Sequence, residues 1–316
     1  MKKVVVLGGG TGLSVLLRGL KLFPLDITAV VSVADDGSST GRLREEFNMP
    51  AVGDLRNVLV ALSSVEPMFE QLLQYRFKTD SDLNNHAMGN LLLAALFNIT
   101  GSLTKSMKAM SSILNIKGKV LPFTEDSPIL MAYTKDGEVI EGESKITKAG
   151  KEIDYVCYKN EVHVTNDVIK AIDKADLIII GIGSLYTSII PNLLDDRVKV
   201  ALSSSSAKKM YVCNIMSEHG ETDGYYVSDC IKAINKYVGN DFIDVVIANS
   251  KYIDDDIQKL YLEEESMPIL IDESKLEDMG VEVIKEELAS INNKQVRHDS
   301  LKTALAIFNY ITKGDM

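Results

Sequence analysis

Cysteine is scarce in this sequence, and positive charge is outnumbered. The 316 residues hold three cysteines, Cys157, Cys213 and Cys230, far apart and odd in number. No CxxC pair and no Cys/His ligand spacing occurs, so neither a zinc site nor a disulfide scaffold organises the fold, and a reducing cytoplasm fits. Lysine and arginine total 34 against 45 aspartates and glutamates, a net charge of −11. Binding of nucleic acid is not expected, because phosphate neutralisation needs clustered cations. A small anionic ligand needs only a local positive potential and stays open.

Other absences narrow the chemistry. There is no Gly-Lys-Ser/Thr after the first glycine loop, no HExxH, no GxSxG elbow and no Ser-His-Asp order. There is no repeat and no low-complexity tract. The N-terminus enters a strand within a few residues, so no signal peptide is expected. Two uncharged runs, Ala87–Thr104 and Leu177–Leu194, reach the length of a membrane span. Gly89, Asn90 and Asn98 interrupt the first; Gly181, Gly183, Ser184 and Pro191 interrupt the second. Both read as buried segments of a core, with no membrane span.

The apolar fraction is 46% and the charged fraction 25%, the balance of a globular protein. Val4–Leu7 reads as a strand ending on Gly8. Leu13, Leu16, Leu17 and Leu20 recur with a helical period, and Ile27–Val33 is a second strand. The chain therefore opens β–glycine turn–α–β. The expected fold class is α/β, a Rossmann-like doubly wound and mainly parallel sheet with a β-rich insertion. Asp35–Gly41 reads as a polar loop. Four helices follow between Asp54 and Leu114. Short β-like runs from Val120 to Val156 suggest hairpins. Strands at Leu177–Ile180, Met210–Asn214, Val245–Ala248 and Val281–Ile284 then return to the parallel pattern. The expected organisation is a core of 1–118 plus 165–316 and an insertion of 119–164.

Six segments carry candidate chemistry. Gly8-Gly9-Gly10-Thr11-Gly12 puts four glycines in five residues between the first strand and the first helix. Such a turn lets a backbone approach a ligand closely, and the helix N-terminus favours a phosphate. The spacing fails the GxGxxG fingerprint, which argues against a plain NAD-type dehydrogenase. Asp35 and Asp36 follow the second strand, where an acid commonly meets a ribose hydroxyl. Arg42 and Arg44 are cations near that crevice. Asp54 reads equally as a helix cap and as a base or metal ligand, with Asn57 one turn on and Arg56 between them. His86 and Asn90 share one helical face. Gly181–Ser188 is a second glycine loop at a strand's carboxyl end, where ligands bind in parallel sheets. Asn214 ends the next strand and can donate and accept at once. The nearby Glu221–Asp223 reads simply as a helix cap.

Taken in order, Gly9–Gly12, Asp35–Arg44, Gly53–Asn57, Met88–Leu92, Gly183–Leu193 and Asn214 with Gly220–Gly224 resemble the YvcK-type gluconeogenesis factors, a branch of the CofD-like superfamily. The likeness runs from Met1 to the last helix, with Ile182 standing where the family usually has proline. It implies a cytoplasmic factor for cell shape and growth on gluconeogenic carbon sources that binds UDP-sugars, notably UDP-N-acetylglucosamine. The CofD branch instead transfers a phospholactyl group from a guanylyl carrier to a deazaflavin alcohol. Carried over, Gly9, Gly10, Thr11, Gly12, Gly183, Ser184, Leu185, Tyr186 and Ser188 would surround the nucleotide phosphates. Asp35 and Asp36 would also bind the nucleotide, and Asn214 would lie near the base or ribose. Asp54 is the candidate catalytic residue. Arg42, Arg56, Asn57, His86 and Asn90 are candidate substrate or phosphate contacts. No cofactor is fixed by these residues; Mg could accompany a nucleotide. Candidate partners are cell-wall synthesis proteins, a Ser/Thr kinase and a second copy in a homodimer.

Overall fold

Runs of β-branched and aliphatic residues without internal polar positions demand burial on both faces, and a parallel sheet supplies it. A computed structural model describes residues 1–239 and 241–313. Its elements are β1 (Lys2–Gly8), α1 (Gly10–Leu20), β2 (Leu25–Val31), α2 (Ser38–Phe47), α3 (Gly53–Leu62), α4 (Pro67–Gln74), α5 (Met88–Thr100), α6 (Leu103–Ile113) and β3 (Lys119–Pro122). Then come β4 (Leu130–Thr134), β5 (Val139–Glu141), α7 (Glu143–Ala149), β6 (Ile153–Tyr158), α8 (Asn166–Asp173), β7 (Leu177–Ile180), α9 (Asp196–Ser204) and β8 (Lys208–Val212). The chain closes with α10 (Val227–Val238), β9 (Val245–Asn249), α11 (Asp255–Leu262), α12 (Glu273–Asp278), β10 (Glu282–Glu286), β11 (Ala289–Asn292), β12 (Gln295–His298) and α13 (Ser300–Thr312).

Seven strands form one sheet in the order β10-β9-β8-β7-β1-β2-β3, every pair parallel. This is the doubly wound α/β fold that the sequence pattern predicts. From β1 the chain builds outward through β2 to β3. It then crosses back to β7 and builds the other way. The reversal falls between β1 and β7, the position where such sheets open a crevice at their carboxyl ends. One core joins α1, α3, α6 and α13 to one face of the sheet; a second joins α8, α9, α10 and the β4–β6 unit to the other. A small third core, with Ile215, Ile253, Ala289 and Val296, holds the β11–β12 hairpin and α11 against the loop after β8.

Several local readings change. Asp35–Gly41 is only partly a loop, because α2 begins at Ser38. Its single buried aliphatic, Leu43, leaves no apolar period to read. The strand at Lys119–Pro122, expected among the hairpins, pairs in parallel with β2 as the edge of the main sheet. The antiparallel sheet is therefore β5-β4-β6. Between the expected β runs Glu138–Ile140 and Glu152–Val156 the chain forms α7, where no helix is expected; Asp36 Oδ1 accepts the Ser144 N–H at 2.9 Å and caps it from far away in sequence. The β11–β12 hairpin was not expected. Its turn places Asn293 and Lys294 at φ of 50° and 64° without the glycine that usually marks one. Among the described residues no helix is long and apolar enough to cross a membrane.

Candidate functional site at the carboxyl ends of β1 and β7

The two glycine loops meet where the sheet reverses. A Cβ on Gly183 would lie 3.1 Å from the Gly9 carbonyl oxygen, and a Cβ on Gly12 only 2.8 Å from Ile182 Cγ2. The loops pack backbone against backbone, which any side chain would prevent. Gly10 adopts φ +69° as the chain turns into α1, and the Gly181–Ile182 peptide is cis. The N-cap residue of α1, Gly9, has no side chain to cap the helix, and the Gly10 N–H is taken by Asp54. The Thr11 and Gly12 end of the helix and its partial positive charge face the space above.

That space is a cavity of about 670 Å³. Of the sequence candidates, Gly10, Thr11, Gly12, Asp35, Asp54, Gly183, Ser184, Ser188 and Asn214 line it. Asn214 Nδ2 donates to the Gly183 carbonyl at 2.9 Å, while its Oδ1 is buried without a partner among the described residues. An unpaired buried carbonyl is costly unless a ligand completes it.

Asp54 is not a helix cap. The helix starts one residue earlier, and Asp54 Oδ2 accepts the Gly10 N–H at 2.6 Å. The carboxylate thus fastens the first glycine loop. Burial, then the nearby charge of Asp35, push its pKa up to about 6; the Gly10 N–H and Arg56 oppose the rise. Asp35 turns inward, its Oδ1 accepting the Gly37 N–H at 2.8 Å.

The other candidates lie outside the lining, each with a local reason. Gly9 sits beneath the floor, against Asp54 and Ser188. Asp36 is occupied as the cap of α7. Leu185 and Tyr186 enter the second core, where the Tyr186 hydroxyl lies 3.2 Å from that of Tyr225. Arg42 donates to the carbonyls of Asp82 and Asn84 on an exposed loop. Arg44 binds the carbonyls of Ala34, Asp35 and Pro128, which pins the loop after β2. His86 Nδ1 lies 3.0 Å from Ser39 Oγ, and Asn90 Nδ2 donates to that hydroxyl at 3.2 Å. This polar cluster is buried behind the floor. Arg56 is buried beside it, donating to Asn57 Oδ1 at 2.7 Å, with its Nε unpaired among the described residues. Burial lowers its pKa to about 10.

Sequence reasoning missed the far wall. Glu143 comes from the head of α7; Met216, Ser217, Glu218 and His219 from the loop after β8; Tyr261 from α11; Arg297 and His298 from β12. Tyr261 Oη accepts the Val296 N–H at 2.8 Å, and Ser266 Oγ donates to the Ser217 carbonyl at 2.5 Å. Arg297 is the one lysine or arginine in the lining among the described residues. Burial, then Asp35, Asp36 and Asp54, raise Glu143 to about 8. Burial raises Glu218 as well. Glu221 is no helix cap. It is buried behind the second glycine loop, accepting the Tyr186 N–H at 2.7 Å and the Thr187 hydroxyl at 2.9 Å, and burial with Glu218 nearby pushes it up to about 8. The cap of α10 is formed locally, by Asp229 Oδ2 accepting the Tyr226 N–H at 3.2 Å. His298 is buried, its Nε2 without a hydrogen-bond partner among the described residues, and burial lowers its pKa to about 4. No cluster of three or more His, Cys, Asp or Glu is arranged to hold a metal ion among the described residues.

Comparison with known proteins agrees with this architecture. The family model described as 2-phospho-L-lactate transferase CofD matches residues 4–289. The gluconeogenesis factor of Bacillus subtilis is 48% identical over 303 residues, covering 96% of each chain. That of Halalkalibacterium halodurans is 47% identical over 307 residues, covering 97% of this chain and 95% of the relative. A crystal structure of a Bacillus halodurans protein superposes with a TM-score of 0.94 at 47% identity, covering 97% of this chain and 99% of that one. This chain belongs to the CofD family and, within it, to the gluconeogenesis factors.

Proposed function

We propose that this chain is a cytoplasmic regulatory factor that binds a UDP-sugar, UDP-N-acetylglucosamine first among them, and so supports cell shape and growth on gluconeogenic carbon sources. The printed name of its relatives supports the gluconeogenic half. One observation carries the ligand half: two glycine loops and the N-terminus of α1 at the sheet's switch point border a cavity of about 670 Å³. In this reading the pyrophosphate lies against Gly10–Gly12, with Arg297 across from it. Asn214 Oδ1 accepts a base N–H such as that of uracil, since its amide is already committed to Gly183. The sugar extends toward Glu143 and Glu218. Where magnesium accompanies the nucleotide it would neutralise phosphate charge, and Asp35 is the hard oxygen donor on this side of the cavity.

Calorimetric titration with UDP-N-acetylglucosamine, with GDP and NADH as controls and with or without magnesium, tests this. Selective, saturable binding is the expected result. Absence of saturable binding by any UDP-sugar at physiological magnesium overturns it.

A second reading, a CofD-like transferase, is favoured by Asp54, a recessed carboxylate raised to about 6 and so ionised but basic near neutrality. Asp54 would take the proton of an alcohol acceptor. The freed oxygen would attack the phosphorus of a nucleotide-activated phospho-acyl donor, and the nucleoside monophosphate would leave. Preference for GDP over UDP-sugar would move the weight here. Undiminished turnover by Asp54→Asn on a proven substrate would remove Asp54 from that role.

A further inference from the structure

A second cavity of about 540 Å³ opens at the other end of the sheet, between the amino-terminal parts of β1, β2 and β3 and the flanking helices α6 and α8. Five lysines line it: Lys3, Lys108, Lys119, Lys170 and Lys174. Two carboxylates share the lining with them, and a third, Asp176, accepts the Lys3 backbone N–H at 2.6 Å. Asp167 is shared by Lys108 at 3.5 Å and Lys170 at 3.8 Å. Asp26 stands beside Lys3 in the β1–β2 register. Lys119 and Lys174 make no ion pair among the described residues. In a chain of net charge −11 this concentration of positive charge is a local reversal.

The floor supplies an independent observation. Thr28 stands between Val5 of β1 and Lys119 of β3 in the sheet register and lines the cavity. The residue is only 8% exposed, and its hydroxyl, which makes no hydrogen bond among the described residues, is open to the cavity. Higher on the same strand and face, Val30 packs in an apolar core.

We propose that this groove is a second ligand site, for a small phosphorylated organic anion. The phosphate meets the rim lysines that carry no ion pair, Lys119 or Lys174, the apolar body lies on Val5 and Leu121, and the Thr28 hydroxyl bonds the ligand. Lysine ammonium groups act as point charges without a planar fork, which suits phosphate better than a carboxylate plane. The apolar floor favours an organic ester over inorganic phosphate.

The probe is 1-naphthyl phosphate, followed by its fluorescence, with 1-naphthol and inorganic phosphate as controls that each keep one feature. Saturable one-to-one binding is expected, about tenfold or more tighter than either control. Lys119→Glu with Lys174→Glu should weaken it by at least about tenfold, and Thr28→Val by about threefold to tenfold. Both lysines are exposed, so the folded state should survive; an unchanged Tm checks this, and the paired Gln variant serves if it shifts. Asn214→Ala, at the opposite end of the sheet, should leave the probe unaffected. Equal binding by wild type and the charge variant overturns the proposal. So does naphthol binding as tightly as its phosphate, or loss of the probe in Asn214→Ala.

Discussion

The floor of the carboxyl-end crevice is backbone, and its far wall is side chain. On the floor, Gly12 and Gly183 press on the facing loop: a Cβ would come within 3.2 Å of the Ile182 carbonyl carbon on the first and 3.1 Å of the Gly9 carbonyl oxygen on the second. On the wall, Glu143, Glu218, Arg297 and His298 are delivered by three separate parts of the sequence. The floor carries few titratable groups and no slack. The wall carries most of the charge and can be altered residue by residue. The floor should therefore decide whether a ligand binds, and the wall, together with Glu221 buried behind the second glycine loop, should decide how binding and stability respond to pH.

The sharpest break is Gly12→Val. Its Cβ would lie 2.8 Å from Ile182 Cγ2 and 3.2 Å from the Ile182 carbonyl carbon, so the loops must part. We expect loss of about 1–3 kcal/mol by urea denaturation and at least about a hundredfold weaker nucleotide binding by calorimetry. Full binding by a folded Gly12→Val protein would show that the floor is not what it looks like.

Next is the alkaline response of Glu221. Its folded pKa of about 8 lies above the ordinary 4.5, so the folded state holds its proton longer than the unfolded chain. That contribution is whole below about 4.5 and lost as pH rises through about 8. Melting followed by circular dichroism from pH 6 to 9 should show Tm falling by on the order of 5 °C. Glu221→Gln, which mimics the protonated acid, should flatten the fall. An equally steep fall in that variant would assign it to other groups.

A smaller effect is expected for Asn214→Ala, at the seam between floor and wall. It removes the bond to Gly183 and the unpaired acceptor, so nucleotide binding should weaken about tenfold with about 1 kcal/mol lost in stability. Smallest of all is Arg42→Ala. Its guanidinium holds two carbonyls of an exposed loop, so stability should change by about 0.5 kcal/mol or less and binding not at all. A binding loss there would return Arg42 to the site.

The floor was legible because its information is local. Four glycines directly after a β-branched strand, and a second glycine loop after Leu177–Ile180, each announce a tight turn at a strand's carboxyl end. The alternation of apolar runs with helical periods likewise specified a parallel α/β sheet, since each element must bury its own face. What the sequence left open was every contact set by distance along the chain. Asp54 read equally as cap or catalyst until Gly10, far before it in the sequence, proved to be the donor it binds. Asp36 looked like a ligand group until the insertion brought Ser144 to it. His86 and Asn90 share a helical face, but that face turns to Ser39 instead of the cavity. Arg297 and His298 sit on a hairpin whose turn lacks glycine, so nothing nearby marked them. Periodicity and turn chemistry act within a few residues and are written in the sequence. Which side chains converge on one cavity depends on the packing of whole elements, and only the tertiary structure decides that.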